Sequence, residues 1–93
     1  MSKIYYPYPA TDNKHKYYII TSSGRKVSFG SAGMSDYTIH KDPERKNRYI
    51  QRHQNKENWA KSGLDTAGFW SRWYLWNLPT KEASYKYIQN KFL

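Results

Sequence analysis

The sequence predicts a small single α+β domain in which an N-terminal β-hairpin precedes about three helices. Residues 16–21 are β-branched and aromatic, as strands prefer, and residues 26–29 alternate polar with apolar side chains. A turn cluster containing Gly24 separates these two segments. Three residues that favour helix N-caps follow later in the chain, namely Asp42, Thr66 and Thr80. Because the strands come before the helices rather than alternating with them, the order is typical of an α+β fold.

The helix boundaries follow from capping and stop signals. Asp42 is expected to cap the first helix, and Pro43 suits its first position because proline lacks an amide hydrogen. The three helices are expected over residues 43–55, 67–76 and 81–92. Residues 34–41 are expected to form a loop, and residues 56–65 either continue the first helix or form a separate short turn.

Residues 1–15 are expected to form an extended arm, and residues 16–93 a single compact domain. The arm alternates tyrosine with proline, which favours a polyproline-like backbone. Its rings are candidate anchors for a neighbouring molecule, namely Tyr5, Tyr6 and Tyr8. The alternative is a disordered tail. Since an isolated two-stranded hairpin is marginal in water, the hairpin must pack on the helices, join a partner, or gain a strand from residues 4–8 or 34–39.

The amino-acid composition argues against several classes of protein, among them disulfide-rich and membrane-spanning ones. Only 38% of the 93 residues are hydrophobic while 18% are aromatic, so the core must be built from large rings. The absence of cysteine excludes a disulfide framework and a cysteine zinc site. No stretch approaches the roughly 20 apolar residues of a membrane span, and no signal peptide is evident, so we expect a protein that is not secreted. A net charge of +9 favours an anionic partner, although solubility alone is the simpler explanation.

A row of cations is the most informative feature of the first predicted helix. At the helical period its members fall within an arc of about 80°, and the lysine that precedes the helix belongs to this arc only if the turn there is regular. They are Lys41, Arg45, Arg48, Arg52 and Lys56. Like charges at this spacing repel, so an anionic partner would relieve the row, and the arginine fork suits phosphate or carboxylate. The alternative is an ordinary solvated helix face.

An aromatic segment, residues 69–76, supplies the second candidate surface. Its rings cover more than a third of the helix circumference, which is more ring surface than one face of a small domain can absorb, and most of them are expected in the core. The remainder are candidate exposed anchors, since tryptophan, tyrosine and arginine dominate interface hot spots. The candidates are Trp70, Arg72, Trp73 and Trp76. Stacking of these rings on single-stranded bases is a weaker alternative.

Catalysis has little support in the sequence. His15, His40 and His53 show no spacing typical of a metal site, and no glycine-rich segment is followed by Gly-Lys-Ser/Thr. Pairs such as His40 with Asp42 resemble parts of a nuclease site, but such pairs arise by chance in a chain of this composition. We therefore expect no enzyme activity, no metal and no cofactor.

A combination of motifs across residues 17–80 carries a family resemblance. The motifs are residues 26–30, 35–42, 45, 49–50, 52–53, 66–71 and 75–80. Together they resemble a family of small basic proteins encoded by large double-stranded DNA viruses of the giant-virus type. The family has no established activity, so the resemblance assigns no residue a catalytic role. It implies a viral product located in the particle or in the cytoplasm or nucleus of the infected cell.

The resulting functional hypothesis is a non-enzymatic minor structural protein of the virion, associated with the capsid. Its basic helix would bind acidic surfaces of other viral structural proteins, its aromatic anchors would lock into neighbours, and the chain would be oligomeric or part of an assembly. The alternative is a sequence-tolerant nucleic-acid-binding protein that contacts phosphates through the same helix. A nuclease is a distant third hypothesis.

Overall fold

The computed structural model describes residues 3–93. In it the strands precede the helices, which confirms the predicted α+β fold. The strands are β1 (Tyr8–Pro9), β2 (His15–Ile20) and β3 (Lys26–Ser31), and they form one antiparallel sheet in that order. The helices are α1 (Tyr37–His40), α2 (Pro43–His53), α3 (Ala67–Trp70) and α4 (Lys81–Phe92). The contacts divide the chain into two compact units. The sheet unit ends at Met34, and the helical unit comprises Ser35–Leu93.

The predicted hairpin is formed by β2 and β3. Thr21 N donates to Arg25 O at 2.8 Å and closes a three-residue loop. Gly24 ends this loop with a φ of 86°, a left-handed conformation that suits glycine and that such loops require. A third strand pairs with the hairpin, because Tyr8 lies opposite Tyr18 in β2. The additional strand thus begins at Tyr8, the last residue of the 4–8 segment that was one of the two alternatives, and the Tyr-Pro segment that was predicted as an arm joins the sheet.

Residues 34–41 were predicted as a loop, but part of this segment forms the short helix α1. Asp36 caps it by accepting a hydrogen bond from Thr38 N at 2.9 Å, a local capping signal that the sequence prediction overlooked. The helix ends after one turn because Lys41 adopts a left-handed conformation with a φ of 54°. Asp42 then caps α2 as predicted, accepting from Glu44 N at 3.0 Å. The helix ends at His53, two residues earlier than expected.

The third predicted helix is α-helical only at its beginning. Thr66 caps α3 as predicted and accepts from Phe69 N at 3.3 Å. From Ser71–Leu75 the helix widens into a π turn, in which Trp76 N donates to Ser71 O five residues earlier. The last helix, α4, has the predicted bounds and the predicted cap, Thr80. Residues Lys61–Gly63 form a separate 3₁₀ turn, one of the two alternatives for that segment.

The core of the helical unit consists largely of aromatic rings, as the composition predicts. Its most buried large side chains include Phe69, Trp70, Leu75 and Ile88. Phe92 in α4 packs edge-on against Phe69, with 4.9 Å between the ring centroids. No helix in the described part of the chain is both long and apolar enough to cross a bilayer.

Candidate anion-binding surface

Three arginines form the regular part of the predicted cationic row. Arg45, Arg48 and Arg52 lie on α2, and all three are exposed. None of them forms an ion pair or a side-chain hydrogen bond with a described residue. Glu44 precedes Arg48 by one turn, a spacing that suits an ion pair, yet none forms. The helix therefore presents three guanidinium groups that form no ion pair with any of residues 3–93.

The two ends of the predicted row lie outside the regular helix. Lys41 is separated from α2 by its own left-handed conformation and the extended backbone of Asp42. Its ammonium donates weakly to Thr38 O at 3.5 Å. Lys56 lies three residues beyond the end of α2, in a turn where its amide donates to His53 O. Both lysines are exposed, but the shared arc calculated for an unbroken helix applies only to the three arginines.

The face of α2 next to the arginines is held in place by Tyr49. This side chain is 8% exposed, and its ring lies parallel to that of Trp76, with centroids 4.5 Å apart. The rings of His53 and Trp59 lie 4.5 and 6.3 Å away. Burial raises the pKa of Tyr49 to about 12 because the charged phenolate would lose its hydration, and the negative charge of Glu57 adds to this effect. The buried ring thus fixes which face of the helix carries the arginines.

Two further cations, Lys46 and Arg72, are used inside the helical unit. Lys46 Nζ donates to Asn77 O at 2.6 Å, and Arg72 Nη1 donates to Trp76 O at 2.8 Å. The Arg72 guanidinium also lies over the Trp73 ring, 4.4 Å from its centroid. Partial burial lowers the pKa of both groups, and the charge of Arg72 lowers that of Lys46 further. Both side chains bind carbonyl groups that follow the π turn, where a helix end carries partial negative charge.

The aromatic anchors predicted in residues 69–76 are engaged within the fold. Trp70 is fully buried and its indole donates to Leu64 O at 2.8 Å, so it is a core residue and not an exposed anchor. Trp73 is half-buried, donates to Trp59 O at 2.8 Å and stacks on Tyr87. Trp76 is half-buried against Tyr49, and Arg72 is bound as described above. The ring surplus inferred from the sequence is thus absorbed by ring–ring contacts.

The tyrosines of the predicted arm lie in the sheet unit, and each is half-buried. Tyr5 N donates to Ile20 O at 2.8 Å, and its hydroxyl donates to Ser22 Oγ at 3.3 Å. The rings of Tyr6 and Tyr8 have centroids 4.9 Å apart. These rings therefore form a cluster on the sheet, which the alternation of tyrosine and proline did not indicate.

The three histidines occupy separate positions. The His15 ring nitrogen lies 2.7 Å from a carboxylate oxygen of Asp12, and His40 Nδ1 accepts from Asp42 N at 2.9 Å. The His53 ring packs against Tyr49. Within residues 3–93, no group of three or more histidine, cysteine or acidic side chains is placed to hold a metal ion.

Comparison with known proteins adds one similarity. Residues 8–53, slightly less than half of the chain, match a family of unknown function (DUF5754). The matched segment includes the three strands, α1 and the whole of α2 with its arginine row. No curated protein and no solved structure matches the chain.

Proposed function

We propose that the protein binds nucleic acid without enzymatic chemistry and that Arg45, Arg48 and Arg52 contact backbone phosphates. The observation that carries this proposal is the row of three exposed guanidinium groups that have no ion-pair partner in the described part of the chain. The row lies on a helix whose neighbouring face is anchored by the buried ring of Tyr49. Such a helix offers its cations to an external anion without rearrangement of the backbone.

The length of the row suits a phosphate backbone. Arg45 and Arg52 are seven residues apart, which corresponds to about 10 Å along a helix axis. One strand of duplex DNA presents roughly three phosphates over that distance when it is measured along the duplex axis. Each guanidinium group binds phosphate through two parallel hydrogen bonds, a geometry that the ammonium of lysine does not provide. Because phosphate contacts carry no sequence information, we expect binding that tolerates many sequences.

The minor virion protein predicted from the family resemblance remains the second candidate function. The motif combination in residues 17–80 favours it, and the same arginine row would bind acidic surfaces of neighbouring structural proteins. The internal packing of Trp70 and Trp73 removes part of the anchor surface on which this hypothesis depended. Purified virus particles should contain the chain at a fixed ratio to the major shell protein, and its absence from them would reject this candidate.

The nucleic-acid proposal is tested with a variant in which the arginine row is neutralised. Arg45, Arg48 and Arg52 are replaced by glutamine, and binding to a fluorescein-labelled duplex is followed by anisotropy. If each arginine neutralises one phosphate, the slope of log K against log salt becomes shallower by about 2.7. Between about 50 and 200 mM salt, the three arginines then account for roughly a 40-fold loss of affinity in the wild-type protein.

A matched control removes the same charge elsewhere. Lys61, Lys86 and Lys91 are also exposed, and their replacement by glutamine lowers the net charge equally. We expect the control to keep a salt slope close to that of the wild type. Both variants should remain folded, and loss of like-charge repulsion along α2 should leave the arginine variant at least as heat-stable as the wild type. Equal binding by all three proteins, or equal losses in the two variants, would refute the proposed surface.

A further inference from the structure

One face of the sheet carries a cluster of tyrosine rings. Tyr8 in β1 lies directly opposite Tyr18 in β2, so both side chains project from the same face. Their rings are stacked, with centroids 5.6 Å apart and planes inclined by 28°. The Tyr6 ring extends the cluster, 4.9 Å from that of Tyr8. Three rings thus form one contiguous cluster.

This tyrosine cluster lies on the face of the sheet that is not deeply buried. Side chains alternate along a strand, so Ile19 projects from the opposite face to Tyr18. Ile19 and Phe29 are at most 1% exposed, whereas Tyr6, Tyr8 and Tyr18 retain intermediate exposure. Ile19 and Phe29 therefore mark the buried face of the sheet. The tyrosine cluster keeps part of its ring surface exposed.

Cations surround the tyrosine cluster. Lys26 Nζ lies 4.5 Å from the centroid of the Tyr18 ring, and Lys3 Nζ lies 5.5 Å from that of Tyr6. Lys16 projects from the same face as Tyr18, two residues away in β2. The first 34 residues contain five lysines and arginines but a single acid, Asp12. That carboxylate is bound by the amides of residues 14 and 15 and by the ring of His15.

We propose that this face stacks the unpaired bases of single-stranded nucleic acid on Tyr6, Tyr8 and Tyr18, while the lysines contact its phosphates. The inference rests on the proposed function and adds a preference for single strands. Aromatic rings on a sheet, bordered by cations, are the two elements that single-strand binding requires. Duplex bases are already stacked on each other, so the tyrosines gain nothing from them. Lys26 covers the Tyr18 ring with a flexible side chain, which can swing from the ring to a phosphate without a change of backbone.

The test compares a labelled 15-nucleotide oligo-dT with a labelled duplex of mixed sequence. Replacement of Tyr8 and Tyr18 by leucine keeps apolar bulk but removes the flat rings, and replacement by phenylalanine keeps the rings. We expect the leucine variant to lose oligo-dT affinity by about tenfold or more for each ring. Its duplex affinity should remain unchanged, and the phenylalanine variant should bind oligo-dT as the wild type does.

A second measurement does not depend on the folding of the leucine variant. When oligo-dT is added to wild-type protein, amide chemical shifts should move in β2 and β3, and a duplex should move those of α2 alone. Wild-type oligo-dT affinity in the folded leucine variant, or shifts confined to α2, would overturn the inference while leaving the arginine row intact. Failure of the wild type to bind either probe would overturn both proposals. Concentration-dependent dimerisation through this face without oligonucleotide would identify a second copy as its occupant and would also overturn the inference.

Discussion

The ring of Tyr49 packs α2 against the rest of the helical unit, so its replacement by alanine should strongly destabilise that unit. Its ring is almost fully buried and lies parallel to Trp76 at a centroid distance of 4.5 Å. Truncation of a buried aromatic side chain to alanine costs about 3–5 kcal/mol, because contacts are lost and a cavity remains. In a domain of this size each kcal/mol shifts the melting temperature by roughly 4–8 °C. The Tyr49→Ala variant should therefore melt at least about 12 °C below the wild type.

Tryptophan fluorescence is the appropriate assay, because all four tryptophans lie in the helical unit. Two of them, Trp59 and Trp76, flank the Tyr49 ring. Arg48→Ala serves as the matched control, since Arg48 is the preceding residue, is exposed and has no partner among the described residues. It should change stability by no more than about 0.5 kcal/mol. A Tyr49→Ala melting temperature within about 2 °C of the wild type would refute the anchoring role.

Two further predictions concern the same unit. A Cβ atom at Gly63 would overlap the backbone carbonyl of Asn58, so Gly63→Ala should lower stability by about 1–3 kcal/mol. An unchanged urea midpoint would contradict this contact. The pKa of Tyr49 is about 12 in the folded chain, against about 10 for an exposed tyrosine. The folded state therefore holds this proton more tightly. The contribution of this proton to the free energy of unfolding is fully present below about pH 10. It falls by roughly 3 kcal/mol as the pH rises towards 12. Urea unfolding should show a smaller alkaline decline in Tyr49→Phe, and an equal decline would contradict the assignment.

The parts of the fold that local chemistry decides could be predicted from the sequence. Asp42, Thr66 and Thr80 cap helices where expected, because an N-cap needs only a short polar side chain next to free amides. The parts that depend on distant residues could not. The pairing of Tyr8 with Tyr18 joins positions that only the folded sheet brings together. The π turn over Ser71–Leu75 has no local breaker residue, and its tightly packed rings offer no sequence signal.

In the candidate site, too, the features that depend on local sequence could be predicted and those that depend on distant residues could not. Helical periodicity predicted the arginine row, because an exposed row requires nothing from the rest of the chain. The role of Lys46 was missed, since its acceptor, the carbonyl of Asn77, lies 31 residues away. The segment that carries the tyrosine cluster was predicted as an arm, because the partners of its rings are also distant in sequence. Its rings meet only after β1 pairs with β2.

The different environments of the cations argue that the arginine row is more than a consequence of a basic composition. Where the helical unit has free carbonyl groups after the π turn, it binds Lys46 and Arg72 to them despite the cost of partial burial. On α2, three arginines have no acceptor among the described residues and repel one another by a few tenths of a kcal/mol per neighbouring pair. That repulsion is small beside the roughly 40-fold change in affinity expected from three phosphate contacts between low and moderate salt. A binding function thus accounts for the row at little cost to the fold.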